Sequence, residues 1–193
     1  MRVVHSEADA APVIATTEPF SLNTRRPALF LDRDGVVNRD DGYPHRIQDI
    51  AFRPGIVDAV ARANRAGWWV FVVTNQSGVA RGRYDEEAVL RLHAWMAARL
   101  AAAGARVDAW RHCPHHPEGA RPVYARACAC RKPAPGMLLD LIGSYPVDTA
   151  ASHLLGDAER DLTAAAVAGV AGHLVGADTD LDRLVGRLIT AAS

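Results

Sequence analysis

Two carboxylates stand two residues apart in Asp32-Arg33-Asp34-Gly35, directly after the apolar run 28–31. At the end of a buried strand, one carboxylate can attack an electrophile while the other moves protons. A phosphate monoester dianion repels an anionic nucleophile, so cations must surround its oxygens. A hard divalent ion with oxygen ligands, typically Mg²⁺, meets that requirement. The pattern predicts metal-assisted phosphoryl transfer, although an Asp-x-Asp pair also occurs in solvated turns.

Four further polar residues stand at or beside predicted strand ends, and each has an ordinary alternative. Asp157 can supply a distant metal carboxylate or a bare helix N-cap, and Asp161 lies one helical turn beyond it. Thr74 can donate a hydroxyl hydrogen bond to phosphate or serve turn chemistry. Lys132 can supply a point charge or be a surface lysine. Their order along the chain favours the functional interpretation.

A second set of candidate ligands combines a Cys-x-His pair with a Cys-x-Cys pair. Its members are Cys113, His115, Cys128 and Cys130. Three thiolates and one imidazole form a closed tetrahedral set for Zn²⁺, which leaves no position for water and is therefore structural. His112 and His116 are adjacent alternatives to His115.

The prolines between positions 113 and 135 exclude regular helix or sheet there. A metal would hold this segment as a small zinc loop at 113–130. Because Arg131 and Lys132 follow the last ligand directly, zinc would also orient both cations toward the substrate.

The elements that must position these residues alternate along the chain. Apolar runs predict buried strands at 28–31, 68–73, 153–155 and 173–175, with a weaker one at 107–111. Helical spacing predicts helices at 56–66, 85–103, 136–142 and 161–168. This alternation predicts an α/β fold, a parallel sheet with helices on both faces. Residues 1–26 lack periodicity and are predicted to be a flexible extension of a single domain at 27–193.

From about position 28 to 175 the motifs resemble those of the haloacid-dehalogenase-like (HAD) phosphatases. FLDRDGVVN is similar to the family's first motif, VVTNQSG to the second, CRKP to the third and LLGDAERD to the fourth. The resemblance implies a three-layer, Rossmann-like HAD fold and an aspartyl-phosphate mechanism, with Asp32 as nucleophile and Asp34 as acid/base. It also implies Thr74 and Lys132 on the phosphate. The implied Mg²⁺ ligands are Asp32, Asp157 and the backbone carbonyl of Asp34, with Asp161 hydrogen-bonding around the ion.

CPHHPEG and CACRKPAPGMLLD resemble the zinc-loop branch of this superfamily, which contains heptose 1,7-bisphosphate 7-phosphatases and histidinol-phosphate phosphatases. TNQSGVARG and RDDGYPH are similar to the heptose enzymes and imply a small sugar bisphosphate, with no large cap domain. The implied substrate-binding residues are Asp40, Asp41, Gly42, Tyr43, Thr74, Asn75, Gln76, Ser77, Arg131 and Lys132. Arg131, with Arg81, is the candidate for the non-reacting phosphate, since an arginine fork binds oxygens in pairs. Ala158 departs from the lysine that heptose enzymes commonly present.

Composition narrows the remaining classes of protein. The 193 residues carry 22 basic and 22 acidic side chains, so no broad attraction to nucleic acid or anionic membranes is expected. No apolar run approaches the roughly 20 residues of a membrane span. Three cysteines clustered in one loop favour metal ligation in the cytoplasm over secreted disulfides. We expect a monomer. Three rivals stay open: histidinol-phosphate hydrolysis, a non-catalytic zinc-stabilised binding module and a nucleic-acid end-processing phosphatase.

Overall fold

The computed structural model describes residues 24–192, so most of the predicted extension 1–26 lies outside the described residues. Arg26, still within that extension, pairs with Val147. The strands are β1 (Ala28–Leu31), β2 (Trp69–Asn75), β3 (Ala109–Cys113), β4 (His153–Gly156) and β5 (Ala171–Leu174). The helices are α1 (Ile56–Arg65), α2 (Glu86–Ala102), α3 (Gly136–Ser144), α4 (Glu159–Val167) and α5 (Leu181–Ala191), with a 3₁₀ turn at Ile47–Asp49.

The strands form one parallel sheet in the order β3-β2-β1-β4-β5. The central strand β1 is apolar and buried along its whole length, as expected where helices cover both faces. Leu31 is in register with Val72 of β2 and with Leu155 of β4. Because the strands run in the same direction, the residues that follow β1, β2 and β4 meet at one edge of the sheet.

Two apolar clusters cover the two faces of this sheet. On one face, Leu29 and Leu31 pack with residues of α1, α2 and α5. On the other face, Ala28 and Phe30 pack with residues of α3 and α4. In the described segment 32–55 the 3₁₀ turn is the only helical element, so no cap domain is inserted before α1. The predicted three-layer fold is confirmed.

Several predicted boundaries differ from the observed ones by one or two residues, and those of β3 and α4 lie next to the candidate site. Strand β3 lies two residues later than predicted and ends at Cys113, because its last residues pair with Thr74 and Asn75 of β2. Helix α4 begins at Glu159 instead of Asp161. Asp161 Oδ2 stabilises the first turn of this helix by accepting a hydrogen bond from the backbone N–H of Ala158 at 3.1 Å.

The sequence patterns do not predict α5. Asp180 caps this helix by accepting a hydrogen bond from the backbone N–H of Arg183. An ion pair of 2.7 Å between Arg62 and Asp182 then joins α5 to α1. No helix within residues 24–192 is both long and apolar enough to cross a membrane.

Candidate active site

Asp32 follows β1 at the sheet edge, where burial and hydrogen bonds fix its carboxylate. Its backbone N–H donates to Leu155 O of β4 at 2.9 Å. Its Oδ1 accepts from the backbone N–H of Arg33 at 2.6 Å. Burial raises the pKa of Asp32 to about 7, against the lowering effect of the Lys132 ammonium. A buried carboxyl group is thus held where three strands end.

Lys132, the only lysine of the chain, lies buried behind Asp32. Its Nζ lies 2.9 Å from Asp32 Oδ2 and 2.7 Å from Asp161 Oδ1, and it donates to Val73 O at 2.8 Å. Asn75 brackets the backbone of Lys132: Asn75 Nδ2 donates to Lys132 O at 3.0 Å and Asn75 Oδ1 accepts from the Lys132 N–H at 3.1 Å. One compact ammonium therefore bridges two buried carboxylates.

Three carboxylates converge beside this ammonium. Asp32, Asp157 and Asp161 each offer one oxygen, and these atoms lie within 4.8 Å of one another. Asp161 is engaged on both oxygens, by Lys132 at 2.7 Å and by the N–H of Ala158 at 3.1 Å. Asp157 Oδ1 is buried with no hydrogen-bond partner among residues 24–192. A buried, unsatisfied carboxylate oxygen beside a second carboxylate fits a hard divalent cation.

Two glycines allow the carboxylates to approach the backbone this closely. At Gly35, with φ +81°, a Cβ would lie 2.2 Å from Asp157 Oδ2. At Gly156, a Cβ would lie 2.2 Å from the Cβ of Asp161. Burial, and then the neighbouring Asp161 carboxylate, raise the pKa of Asp157. A bound cation would remove the cost of burying these charges together.

Asp34, the second carboxylate of the first motif, accepts four hydrogen bonds. Arg33 donates from Nε to Oδ1 and from Nη2 to Oδ2, both at 2.9 Å. Asn38 Nδ2 donates to Oδ1 and Gln76 Nε2 donates to Oδ2, both at 3.0 Å. Gln76 Nε2 also lies 2.9 Å from Thr74 Oγ1, to which it donates. The acid/base candidate is therefore tied to the end of β2.

A cavity of about 310 Å³ opens over these groups. It is lined by Asp32, Asp34, Asp40, Gly42, Tyr43, Thr74, Asn75, Gln76, Ser77, Arg81, Tyr84, His116, Arg131 and Arg160. Most of the predicted substrate residues are therefore brought together. Asp41 is not, since it lines two neighbouring cavities instead. Lys132 is not either, since it is buried beneath Asp32.

Three residues of the cavity wall were not predicted to bind substrate: Tyr84, His116 and Arg160. Tyr84 Oη donates to Gln76 Oε1 at 2.8 Å, and burial raises the pKa of Tyr84 to about 12. His116 Nε2 lies 3.1 Å from Arg81 Nη2. Arg160 Nη2 lies 3.6 Å from Asp157 Oδ1, so this side chain brings a cation to the rim. The only sequence signal for Arg160 was its place within the fourth motif.

The predicted zinc ligands form a compact cluster. The three sulfur atoms lie 3.1 to 3.4 Å apart. His115 Nδ1 lies 3.6 Å from Cys113 Sγ and 3.4 Å from Cys130 Sγ. All three cysteines are free thiols. Three thiols and one ring nitrogen in this arrangement fit a four-coordinate zinc ion.

The two alternative histidines face other partners. His112 Nε2 lies 2.9 Å from Glu86 Oε1, and His116 points to Arg81 in the cavity wall. Arg131, next to the last cysteine, donates from Nη1 to the backbone carbonyl of His115 at 3.2 Å. The conformation of the cysteine loop therefore fixes an arginine of the cavity.

Comparison with known proteins decides the family. A HAD-hydrolase-like family model matches residues 129–185. A D-glycero-beta-D-manno-heptose-1,7-bisphosphate 7-phosphatase of Rhodopseudomonas palustris is 49% identical over 158 residues, which are 81% of this chain and 88% of that protein. The protein of the same name from Escherichia coli K12 is 44% identical over 144 residues, 75% of each chain. This chain belongs to the heptose-1,7-bisphosphate 7-phosphatase family.

A solved member of the heptose bisphosphatase family has the same fold. The D,D-heptose 1,7-bisphosphate phosphatase of B. bronchiseptica, complexed with magnesium and phosphate, matches with a TM-score of 0.76 and 38% identity. The match covers 86% of this chain and 99% of that one. As a family member, this chain is a phosphoric monoester hydrolase of the HAD superfamily, and the prediction of an enzyme is confirmed.

Proposed function

We propose that this chain removes the 7-phosphate of D-glycero-β-D-manno-heptose 1,7-bisphosphate. The observation that carries the proposal is the convergence of Asp32, Asp157 and Lys132 beneath one polar cavity. Relatives of 44–49% identity bear this activity in their names. A cavity of about 310 Å³ suits a small sugar bisphosphate better than a polymer end.

In the proposed reaction, Asp32 attacks phosphorus in line and the bond from phosphorus to the sugar oxygen breaks. Asp34 gives its proton to the departing sugar alkoxide. Water then attacks the phosphorus of the aspartyl phosphate, Asp34 takes a proton from that water, and inorganic phosphate leaves. Four hydrogen bonds that hold Asp34 at the cavity support this role. Thr74, 1% exposed at the end of β2, is positioned to donate to a phosphoryl oxygen.

The cation that fits the carboxylate cluster is Mg²⁺. Asp32, Asp157 and the backbone carbonyl of Asp34 would hold it, and the ion would supply positive charge to the phosphoryl oxygens. Asp161 would lie beside the ion without binding it, since Lys132 Nζ and the backbone N–H of Ala158 already occupy the two oxygens of Asp161. The unsatisfied Oδ1 of Asp157 supports this ligand set.

We predict opposite effects of pH on the metal-free protein and on its affinity for Mg²⁺. Between pH 3.8 and about 7 the folded protein keeps a proton on Asp32 that the unfolded chain has released. The unfolding free energy of the metal-free protein should therefore fall as pH rises through that window. Mg²⁺ competes with this proton and should bind more tightly as pH rises.

Urea unfolding across this pH range, with and without Mg²⁺, measures both trends. In Asp32→Asn, the part of the fall in unfolding free energy that comes from Asp32 should vanish, because asparagine does not titrate. A metal-free pH profile that is identical in the two proteins would contradict the assignment.

The non-reacting phosphate is proposed to bind Arg131 and Arg81, which both line the active-site cavity. Arg131 is held by the carbonyl of His115 at 3.2 Å and Arg81 approaches His116 at 3.1 Å. Planar guanidinium groups bind phosphate oxygens in pairs. Arg160 adds a third guanidinium at the rim of the cavity. It lies two residues after Ala158, the position where heptose enzymes commonly present a lysine.

Zn²⁺ is proposed to hold the loop through Cys113, His115, Cys128 and Cys130, in a structural role. We predict that Cys128→Ser destabilises the protein by about 4 kcal/mol, because a closed zinc site contributes its binding energy to folding. KM for the bisphosphate should rise more than kcat falls, since the loop alone positions Arg131, whereas two hydrogen bonds from Asn75 also hold the backbone of Lys132.

Metal content, denaturant unfolding and steady-state kinetics test this prediction together. About one zinc per chain is expected in the wild type and much less in Cys128→Ser. Ala129→Ser is the matched control, because it adds a serine at the exposed neighbouring position and keeps all four ligands. Full zinc content and unchanged stability in Cys128→Ser would contradict the ligand set.

We also propose that the enzyme acts in the cytoplasm as a monomer. Three free thiols in one cluster support a reducing compartment. Sedimentation of the purified protein measures the oligomeric state directly.

A substrate panel tests the proposed specificity. We expect kcat/KM for the heptose 1,7-bisphosphate to exceed that for heptose 7-phosphate by about 10-fold or more, because Arg131 and Arg81 lose their partner when the second phosphate is missing. Histidinol phosphate is the essential comparison. Faster turnover of histidinol phosphate would overturn the sugar assignment and leave the catalytic roles untouched.

A further inference from the structure

Arg33, which stands between Asp32 and Asp34 in the sequence, is fully buried. Its guanidinium presents one edge to Asp34, with Nε and Nη2 each 2.9 Å from a different oxygen. Nη2 also donates to the backbone carbonyl of Pro44 at 2.8 Å. A planar fork bound to both oxygens of a carboxylate fixes the plane of that carboxylate. The orientation of Asp34 therefore depends on what holds Arg33.

The remaining terminal nitrogen of Arg33 faces a histidine of α2. Nη1 lies 3.4 Å from Nε2 of His93, which is 5% exposed. The His93 ring packs on Trp110, with ring centroids 4.8 Å apart. Burial, and then the charge of Arg33, lower the pKa of His93 to about 2, so the ring is neutral. Because arginine can only donate, the neutral ring nitrogen must be the acceptor.

We propose that His93 is a positioning residue for the reaction. By accepting a hydrogen bond from Arg33, it fixes the guanidinium that orients Asp34 toward the leaving oxygen. The inference rests on the proposed role of Asp34 as acid/base. A carboxylate has about four acceptor sites, and all four are filled by Arg33, Asn38 and Gln76. Proton transfer requires one site to open. Gln76 can release it and keep Thr74 as a partner, while the buried Arg33 fork stays and preserves the orientation.

The test compares leaving groups, because only a poor leaving group needs a proton from Asp34. A sugar alkoxide must be protonated as it departs, whereas p-nitrophenolate leaves unprotonated. In His93→Leu we expect kcat for the heptose bisphosphate to fall about 10-fold, part of the 10²–10⁴-fold that acid catalysis supplies. The pre-steady-state burst of p-nitrophenol from p-nitrophenyl phosphate should stay within about 2-fold of wild type, and KM for the sugar should hardly change.

Three further variants make the outcome decisive. His93→Gln keeps an acceptor oxygen and should recover most of kcat. His153→Leu is the matched control, since His153 is a half-buried histidine at the start of β4 that contacts Trp68 and His173; it should leave both activities unchanged. Asp34→Asn should lose turnover of the sugar substrate and keep the burst.

Equal losses on both substrates in His93→Leu would overturn the inference, because they indicate a general defect of the fold. No loss, or no recovery in His93→Gln, would overturn it as well. If Asp34→Asn hydrolyses the sugar substrate normally, the proposed function itself fails. If Asp34→Asn loses that activity and His93→Leu does not, the inference about His93 fails alone.

Discussion

Asp32→Asn is expected to lower phosphate release from the heptose bisphosphate by about 10⁴-fold or more, because the nucleophile of the proposed mechanism is lost. The substitution keeps the size and shape of the side chain. Its effect on folding should be small or favourable without metal, since burial already raises the pKa of Asp32 to about 7 and so favours a neutral group there. Loss of activity with retained stability would locate the defect in the chemistry.

The rate is measured by phosphate release with saturating Mg²⁺, and stability by denaturant unfolding of the same preparation. Asp41→Asn is the matched control, because Asp41 is an exposed aspartate outside the active-site cavity. It should retain nearly full activity. An Asp32→Asn enzyme that turns over at the wild-type rate would exclude Asp32 as the nucleophile.

Lys132→Met is expected to lower both stability and activity strongly. Nζ is the cation that compensates Asp32 at 2.9 Å and Asp161 at 2.7 Å in a fully buried position. Removing one partner of a buried ion pair costs about 3–5 kcal/mol, because the remaining charges stay buried without compensation. Turnover should also fall by about 10²–10³-fold, as in the loss of one donor to a reacting oxyanion.

Mg²⁺ should restore part of the lost stability, because it brings positive charge to the same carboxylates. Urea unfolding of Lys132→Met with and without Mg²⁺ measures this recovery. Arg91→Met is the control: its ion pair with Glu87 is exposed and is worth at most about 1 kcal/mol. If Lys132→Met were as stable as Arg91→Met in the absence of metal, the buried carboxylate pair would not depend on this ammonium.

The sequence was sufficient to predict which strand ends meet. Apolar runs of strand length fixed the places where Asp32, Thr74 and Asp157 leave the sheet, and parallel topology puts such residues on one edge. The cysteine cluster was also predictable, because ligand chemistry depends on residue types and spacing. The alternatives His112 and His116 needed coordinates, since three histidines within five positions differ only in where their rings point.

Long-range contacts were not predictable from local patterns. Arg33 looks like a solvated charge in sequence, but it is buried and contacts the carbonyl of Pro44 and, far along the chain, His93. The position of Asp41 also depends on the local turn: Asp41 lines a neighbouring cavity together with Asp40, whereas only Asp40 of the two lines the active-site cavity. Helix α5 was not predicted, although Asp180 caps it. Its position depends on packing against α1 and on the ion pair between Arg62 and Asp182.

A crystal structure with Mg²⁺ and beryllium trifluoride, a mimic of an acyl phosphate, tests the central claim most directly. We predict one trifluoride on a carboxylate oxygen of Asp32 and one Mg²⁺ in contact with that group and with Asp157. Binding of the trifluoride to another side chain, or of Mg²⁺ at a place that touches neither carboxylate, would contradict the proposed mechanism.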